Sequence, residues 1–308
     1  MLGRPESVAT PVPAPWRDRL RDLLLRGIYH FGWRIAARLP QQLVALIISA
    51  LSWMILRQDG VHVRTLRHNL ALTTGAPVHS DLLRAALKSY LRNFYEVLAL
   101  PAWSETEIRR RVRAVNEPAV RGAHAGPGAV VALPHSGNWD LAGAWACATG
   151  MPVTTVAEQL SDAEYAAFVG FRESLGLQVI SHRDPEALTT LIKAIHDRRV
   201  VCLLADRDLS GTGVRVSWRG HPITVPAGPA IVARRTGAAL LPAVCQFTEN
   251  GMEIIIGGPI AHRQGRDGLT RMMQDVADFF ADTIARQPAD WHMLQPFFSS
   301  RQRAEEAR

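Results

Sequence analysis

Beyond about residue 112 the chain is written as short apolar runs separated by helical patterns, and this alternation constrains the fold more than any other feature. The runs are AVVAL (129–133), PVTTVA (152–157), LQVIS (177–181), VVCLLA (200–205), VRVSW (214–218), ALLPAVCQF (239–247) and MEIIIG (252–257). Each has the length and β-branched content of a buried strand. Helices are predicted between several of them, at about 138–149, 161–175, 185–198, 227–237 and 268–286. Strands alternating with helices predict an α/β domain over 112–298, a central mixed sheet flanked by helices.

The preceding hundred residues read differently. Residues 1–14, rich in Pro and Ala, are predicted to be a flexible start without the charged and apolar regions of a signal peptide. Trp16, Leu20, Leu23, Leu24, Ile28, Phe31 and Ile35 recur at three and four, one face of a helix, with Arg17, Arg19, Arg21, Arg26 and Arg34 mostly elsewhere on the wheel. Such a basic, aromatic, amphipathic helix either lies in a membrane surface or packs on its own domain. QQLVALIISALSWMIL (41–56) carries no charge but falls short of a spanning helix, which points to a monotopic or partly buried one. A further helix is predicted from Ser80 to Leu100, ended by Pro101. Residues 15–111 are therefore expected to form an N-terminal amphipathic helical membrane-binding layer, and 299–308 a flexible tail.

The net charge of +7 favours anionic partners such as phospholipid headgroups or coenzyme phosphates. Nucleic acid is not expected, because no zinc finger, RNP-like block or basic reading helix is present. Cys147, Cys202 and Cys245 stand far apart in apolar stretches and read as reduced core residues. No metal-ligand spacing, GxGxxG or GxSxG occurs, which argues against metal, dinucleotide and serine-hydrolase chemistry.

ALPHSGNWDLAG (132–143) carries the chemistry. His135 follows a strand and a proline, at the carboxyl edge where open α/β sheets present their sites. Asp140, five residues later, is expected to accept a hydrogen bond from one ring nitrogen, freeing the other to take a proton from a hydroxyl. Backbone N–H groups at the helix start offer oxyanion or phosphate support. By itself the spacing also fits a structural histidine beside a helix-capping aspartate.

LPHSGNWDLAG resembles the HxxxxD motif of the bacterial lysophospholipid acyltransferase superfamily, in the branch of the lipid A lauroyl and myristoyl acyltransferases. Within that branch the chain is most similar to the actinobacterial phosphatidylinositol mannoside acyltransferases. FRESLGLQVI (171–180), the block 203–242 and WHMLQPFF (291–298) follow in the family's order. The resemblance implies transfer of a long acyl chain from acyl-CoA, or acyl carrier protein, to a mannose hydroxyl of a phosphatidylinositol mannoside, an anionic glycolipid, at the cytoplasmic face of the plasma membrane. The enzyme would be peripheral or monotopic. His135 would be the base and Asp140 its partner, with neither metal nor cofactor beyond the acyl-CoA co-substrate.

The later Pro-Glu-Gly element of the wider superfamily is absent; Asp206, Arg207 and Asp208 stand in the corresponding region. Arg207 is a candidate for a phosphate and Asp206 or Asp208 for a sugar hydroxyl, against a salt-bridged loop. Arg172 is a candidate for an anionic substrate by resemblance. Asn138 and Trp139 join the candidate substrate surface, Trp139 alternatively as packing beside the base. Other readings are an acyltransferase for another glycolipid or lysophospholipid, a hydrolase activating water with the same pair, and a lipid-binding protein without catalysis.

Overall fold

The computed structural model describes residues 38–158, 169–208 and 211–298. The helix expected over 16–35, the flexible start and the tail fall outside the described residues, and of the helix expected over 161–175 only 169–175 is described, helical over 169–174.

Four helices lead the described chain: α1 (Gln41–Gln58), α2 (Val61–Thr74), α3 (Ser80–Ala99) and α4 (Glu105–Arg111). Pro101 stands in a single 3₁₀ turn directly after α3, since its ring cannot continue the helical hydrogen-bond ladder. Then come β1 (Val112–Val115), α5 (Glu117–Ala125), β2 (Ala129–Leu133), α6 (Trp139–Ala148), β3 (Val153–Ala157), β4 (Gln178–Ser181), α7 (Ala187–His196) and β5 (Val200–Leu204). The chain continues through β6 (Val214–Trp218), β7 (His221–Val225), α8 (Gly228–Thr236), β8 (Ala239–Phe247), β9 (Met252–Ile256) and α9 (Gly265–Arg286).

Seven strands form one mixed sheet in the order β1-β9-β8-β2-β5-β3-β4, parallel except for the antiparallel β8–β9 pair. The expected α/β class with a mixed sheet flanked by helices is what the structure has. Alternate residues of β2 serve opposite faces, as the strand period of two requires. Val130 and Ala132 pack with Leu66 and Leu70 of α2, Leu87 of α3, Val232 of α8 and Phe280 of α9. Val131 and Leu133 pack with Leu141 and Trp145 of α6, Val120 of α5 and Ile108 of α4. The helices α2 and α3 thus share an apolar core with the sheet.

Two strands were not legible. β1 has only four residues and follows α4 without a break. β7 contains Pro222, which lowers its strand signal and is tolerated because β6 and β7 make a two-stranded antiparallel sheet of their own. Arg219 and Gly220, both at positive φ (49° and 89°), make the two-residue turn between Trp218 and His221, the conformation that matches strand twist in a tight hairpin.

Candidate active site

The β2–β5 register builds the centre of the site. Leu133 and Leu204 are partners in that parallel ladder. Two residues past each stand His135 and Asp206, brought side by side at the carboxyl edge of the sheet. Asp206 Oδ1 lies 2.6 Å from His135 Nδ1, and Oδ2 accepts from the His135 backbone N–H at 2.8 Å and from the Trp291 indole Nε1 at 3.1 Å. Asp206 is wholly buried. Burial opposes its charge, but the His135 charge and the hydrogen bonds from His135 and Trp291 outweigh it and hold the carboxyl below its ordinary range. An ionised carboxylate only accepts, so in the neutral imidazole Nδ1 carries the proton and Nε2 keeps its lone pair.

This corrects the expected pairing. Asp140 does not hold the imidazole; both of its oxygens face Arg172, at 2.5 Å from Nε and 3.3 Å from Nη2. The reason is topological: a neighbouring strand brings Asp206 to His135, while residue 140 has already turned into the first helical turn of α6. Arg172, expected to meet an anionic substrate, is itself buried against Asp140.

Two more expectations change. Asp206 is not placed to bind a sugar hydroxyl, because it is buried and both oxygens are engaged. Asn138 is wholly buried rather than part of a substrate surface: its Oδ1 caps α6 by accepting from Leu141 N–H (2.9 Å), and its Nδ2 donates to Glu96 Oε2 (3.2 Å). Asp208 accepts from Gly213 N–H at 2.8 Å through Oδ2. Arg207, partly exposed, reaches Glu158 at 3.5 Å. Trp139 stands edge-on to His135, ring centroids 5.3 Å apart. The N–H groups of Ser136, Gly137, Asn138 and Leu141 all find acceptors inside the protein, so oxyanion support does not come from those four.

The loop between β2 and α6 is pressed against β8. Gly137 has φ 55°, and a Cβ there would meet the Cys245 backbone at 2.8 Å, so only glycine fits without movement. Ser136 bridges to Trp291 in antiparallel fashion, His292 N–H donates to His135 O (2.8 Å), and Gly137 N–H donates to Asp290 O (2.9 Å). Trp291 and Glu96 were missed as site residues; the closing WHMLQPFF carried only a resemblance, and Glu96 lies on a helix read as part of a separate layer.

His292 is buried next to His135. Ser89 Oγ donates to Asp290 Oδ1 (2.6 Å) and accepts from His292 Nε2 (2.9 Å). Burial, with help from the His135 charge and against Asp206, pushes His292 down to about 3. A histidine depressed in the folded state stabilises above its unfolded value and loses that contribution as pH falls. Wild-type stability should therefore decline from about pH 6.5 toward about pH 3 with a slope from this group of up to ~1.4 kcal/mol per pH unit. Urea unfolding across that window should show a shallower slope in His292→Gln; an unchanged slope contradicts the assignment.

A cavity of about 390 Å³ opens beside this pair, between the sheet and α6. Val131, Leu133, Ala142, Trp145, Met151 and Ile254 give it apolar walls, and His135, Trp139, Asp140 and Phe94 also line it. Its volume is in the range of small-molecule sites.

The sequence model described as bacterial lipid A biosynthesis acyltransferase matches residues 17–300. A phosphatidylinositol mannoside acyltransferase of Mycolicibacterium smegmatis is 40% identical over 277 residues, covering 87% of this chain and 89% of that protein. The protein of that name from Mycobacterium tuberculosis is 39% identical over 277 residues, covering 87% and 86%. Among solved structures, the 1-acyl-sn-glycerophosphate acyltransferase PlsC of Thermotoga maritima superposes with a TM-score of 0.40 at 10% identity, over 80% of this chain and 98% of that one.

Proposed function

The chain belongs to the bacterial lipid A biosynthesis acyltransferase family, and we propose that within it this enzyme moves a long acyl chain from acyl-CoA to a mannose hydroxyl of a phosphatidylinositol mannoside. The observation that carries this reading is His135, held by Asp206 with Nε2 unbonded by any described residue, at an apolar cavity able to take hydrocarbon.

His135 Nε2 takes the proton of the acceptor hydroxyl as its oxygen attacks the thioester carbon. The tetrahedral species then breaks its C–S bond, CoA leaves as the thiol after receiving the proton from the imidazolium, and the ester remains on the sugar. The Asp206 carboxylate fixes the Nδ1–H tautomer and stabilises the imidazolium as it forms; general-base help of this kind is worth about 10² to 10⁴ in rate. No acyl-enzyme is involved. Acyl carrier protein as donor, and another glycolipid or lysophospholipid as acceptor, are the alternative substrates.

The lipid is met at a membrane surface on the cytoplasmic side. Leu43, Leu46, Ile47, Leu51, Trp53 and Met54 of α1 are exposed, as is Phe94, which also lines the cavity. Exposed apolar area so concentrated marks an interaction surface. Among the described residues no single helix is long and apolar enough to cross a membrane; α1 and α2 together would be, but they bend by 93°. Helix α1 docks in the interface through this exposed face as a monotopic element, while α2 packs on the core.

The test presents labelled palmitoyl-CoA and a phosphatidylinositol mannoside in anionic vesicles to the purified protein. Labelled mannolipid, free CoA and protein that pellets with the vesicles are expected. Free fatty acid as the sole product overturns transfer in favour of hydrolysis, and protein left in the supernatant overturns the docking.

A further inference from the structure

Trp291 has a role that packing alone does not explain. It is wholly buried, stacked on Trp218 at 5.3 Å and 16°, with Phe297 edge-on at 4.9 Å. The indole N–H, however, is spent on Oδ2 of Asp206, which is wholly buried. Oδ2 also accepts from the His135 backbone N–H, so both oxygens already meet His135; the indole N–H adds a second donor on Oδ2 from a different segment and further restrains the plane in which Oδ1 meets Nδ1.

The segment that carries Trp291 is anchored on its own account. Asp290 accepts from Ser89 Oγ and from Phe247 N–H (2.8 Å), tying the segment to α3 and β8. Its backbone then holds the loop of the base on either side, through Asp290 O to Gly137 and His292 N–H to His135. One short strap thus grips both partners, His135 by its backbone and Asp206 by its side chain.

We propose that Trp291 is a positioning residue of the active site: its indole N–H locks the plane of Asp206, and through it the tautomer and aim of His135. The role rests on the reading of His135 as the base. Loss of the N–H leaves the stack in place and leaves Oδ2 with the His135 backbone N–H alone, so the carboxylate is held less firmly and the preference for the Nδ1–H form weakens.

The test replaces Trp291 by its benzothienyl isostere, which has sulfur in place of N–H, alongside Trp291→Phe. ¹⁵N-histidine NMR, assigned with His135→Gln, reads which ring nitrogen carries the proton and needs no turnover. Steady-state acyl transfer separates kcat from KM. In wild type, His135 is expected as the Nδ1–H form; in the isostere the two forms mix and kcat falls about tenfold with KM for acyl-CoA within about twofold, the scale of one hydrogen bond to a charged group. An isostere with wild-type tautomer and kcat overturns the proposal. If the wild type transfers no acyl group, the functional reading fails while the NMR result still decides the role of Trp291.

Discussion

Asp206→Asn should lower kcat by about 10³- to 10⁴-fold while the protein stays folded. The size follows from donor counting. Oδ2 of Asp206 accepts two N–H groups, from the His135 backbone and from Trp291, and Oδ1 meets Nδ1. An asparagine has one acceptor oxygen, and it must face those two donors. Its NH₂ then points at Nδ1, which has to become an acceptor, and the imidazole proton moves to Nε2. A ring protonated at Nε2 cannot take a proton from the acceptor hydroxyl. Steady-state rates of purified enzyme, with thermal unfolding as the control for folding, check this; a loss smaller than about tenfold contradicts the assignment of Asp206 as the partner of the base.

Asp140 and Arg172 should respond in the other way. Their side chains are 3% and 8% exposed and face each other with both carboxylate oxygens engaged. Removing one partner leaves a buried charge without its counterpart, which costs about 3 to 5 kcal/mol. Arg172→Leu and Asp140→Leu should each lower unfolding free energy on that scale, and the double variant should lose less than the two single losses combined. A double-mutant cycle by urea unfolding measures the coupling; strictly additive losses would show that the pair does not act as a unit. Activity should fall with the folded fraction and with the cavity wall that both residues help to form. The carboxylate five residues after His135 pairs with Arg172, while the one from the neighbouring strand meets the imidazole.

That division explains how much could be read from the sequence. The seven strand runs were legible because each is a short β-branched segment ending in turn residues, and His135 was placed at a strand's carboxyl edge by the same reasoning. Its partner was not legible. Chain separation ranks Asp140 first, five positions away, whereas the β2–β5 adjacency that brings in Asp206 from seventy-one positions away is a property of strand order. Asn138 looked available to substrate because polar loop residues usually are; its amide is consumed by the α6 cap and by Glu96, a contact that exists only once α3 lies over the loop. Trp291 stayed hidden for the same reason, since nothing local distinguishes an indole that packs from one that also donates to a carboxylate.

The central claim is that His135 is the general base of acyl transfer, and its most direct test is product-resolved turnover by wild type and His135→Ala at equal concentrations of folded protein. The wild type should convert labelled palmitoyl-CoA and phosphatidylinositol mannoside to acylated mannolipid, and His135→Ala should be slower by at least about 10²-fold. Acylated lipid from His135→Ala at the wild-type rate would contradict the account.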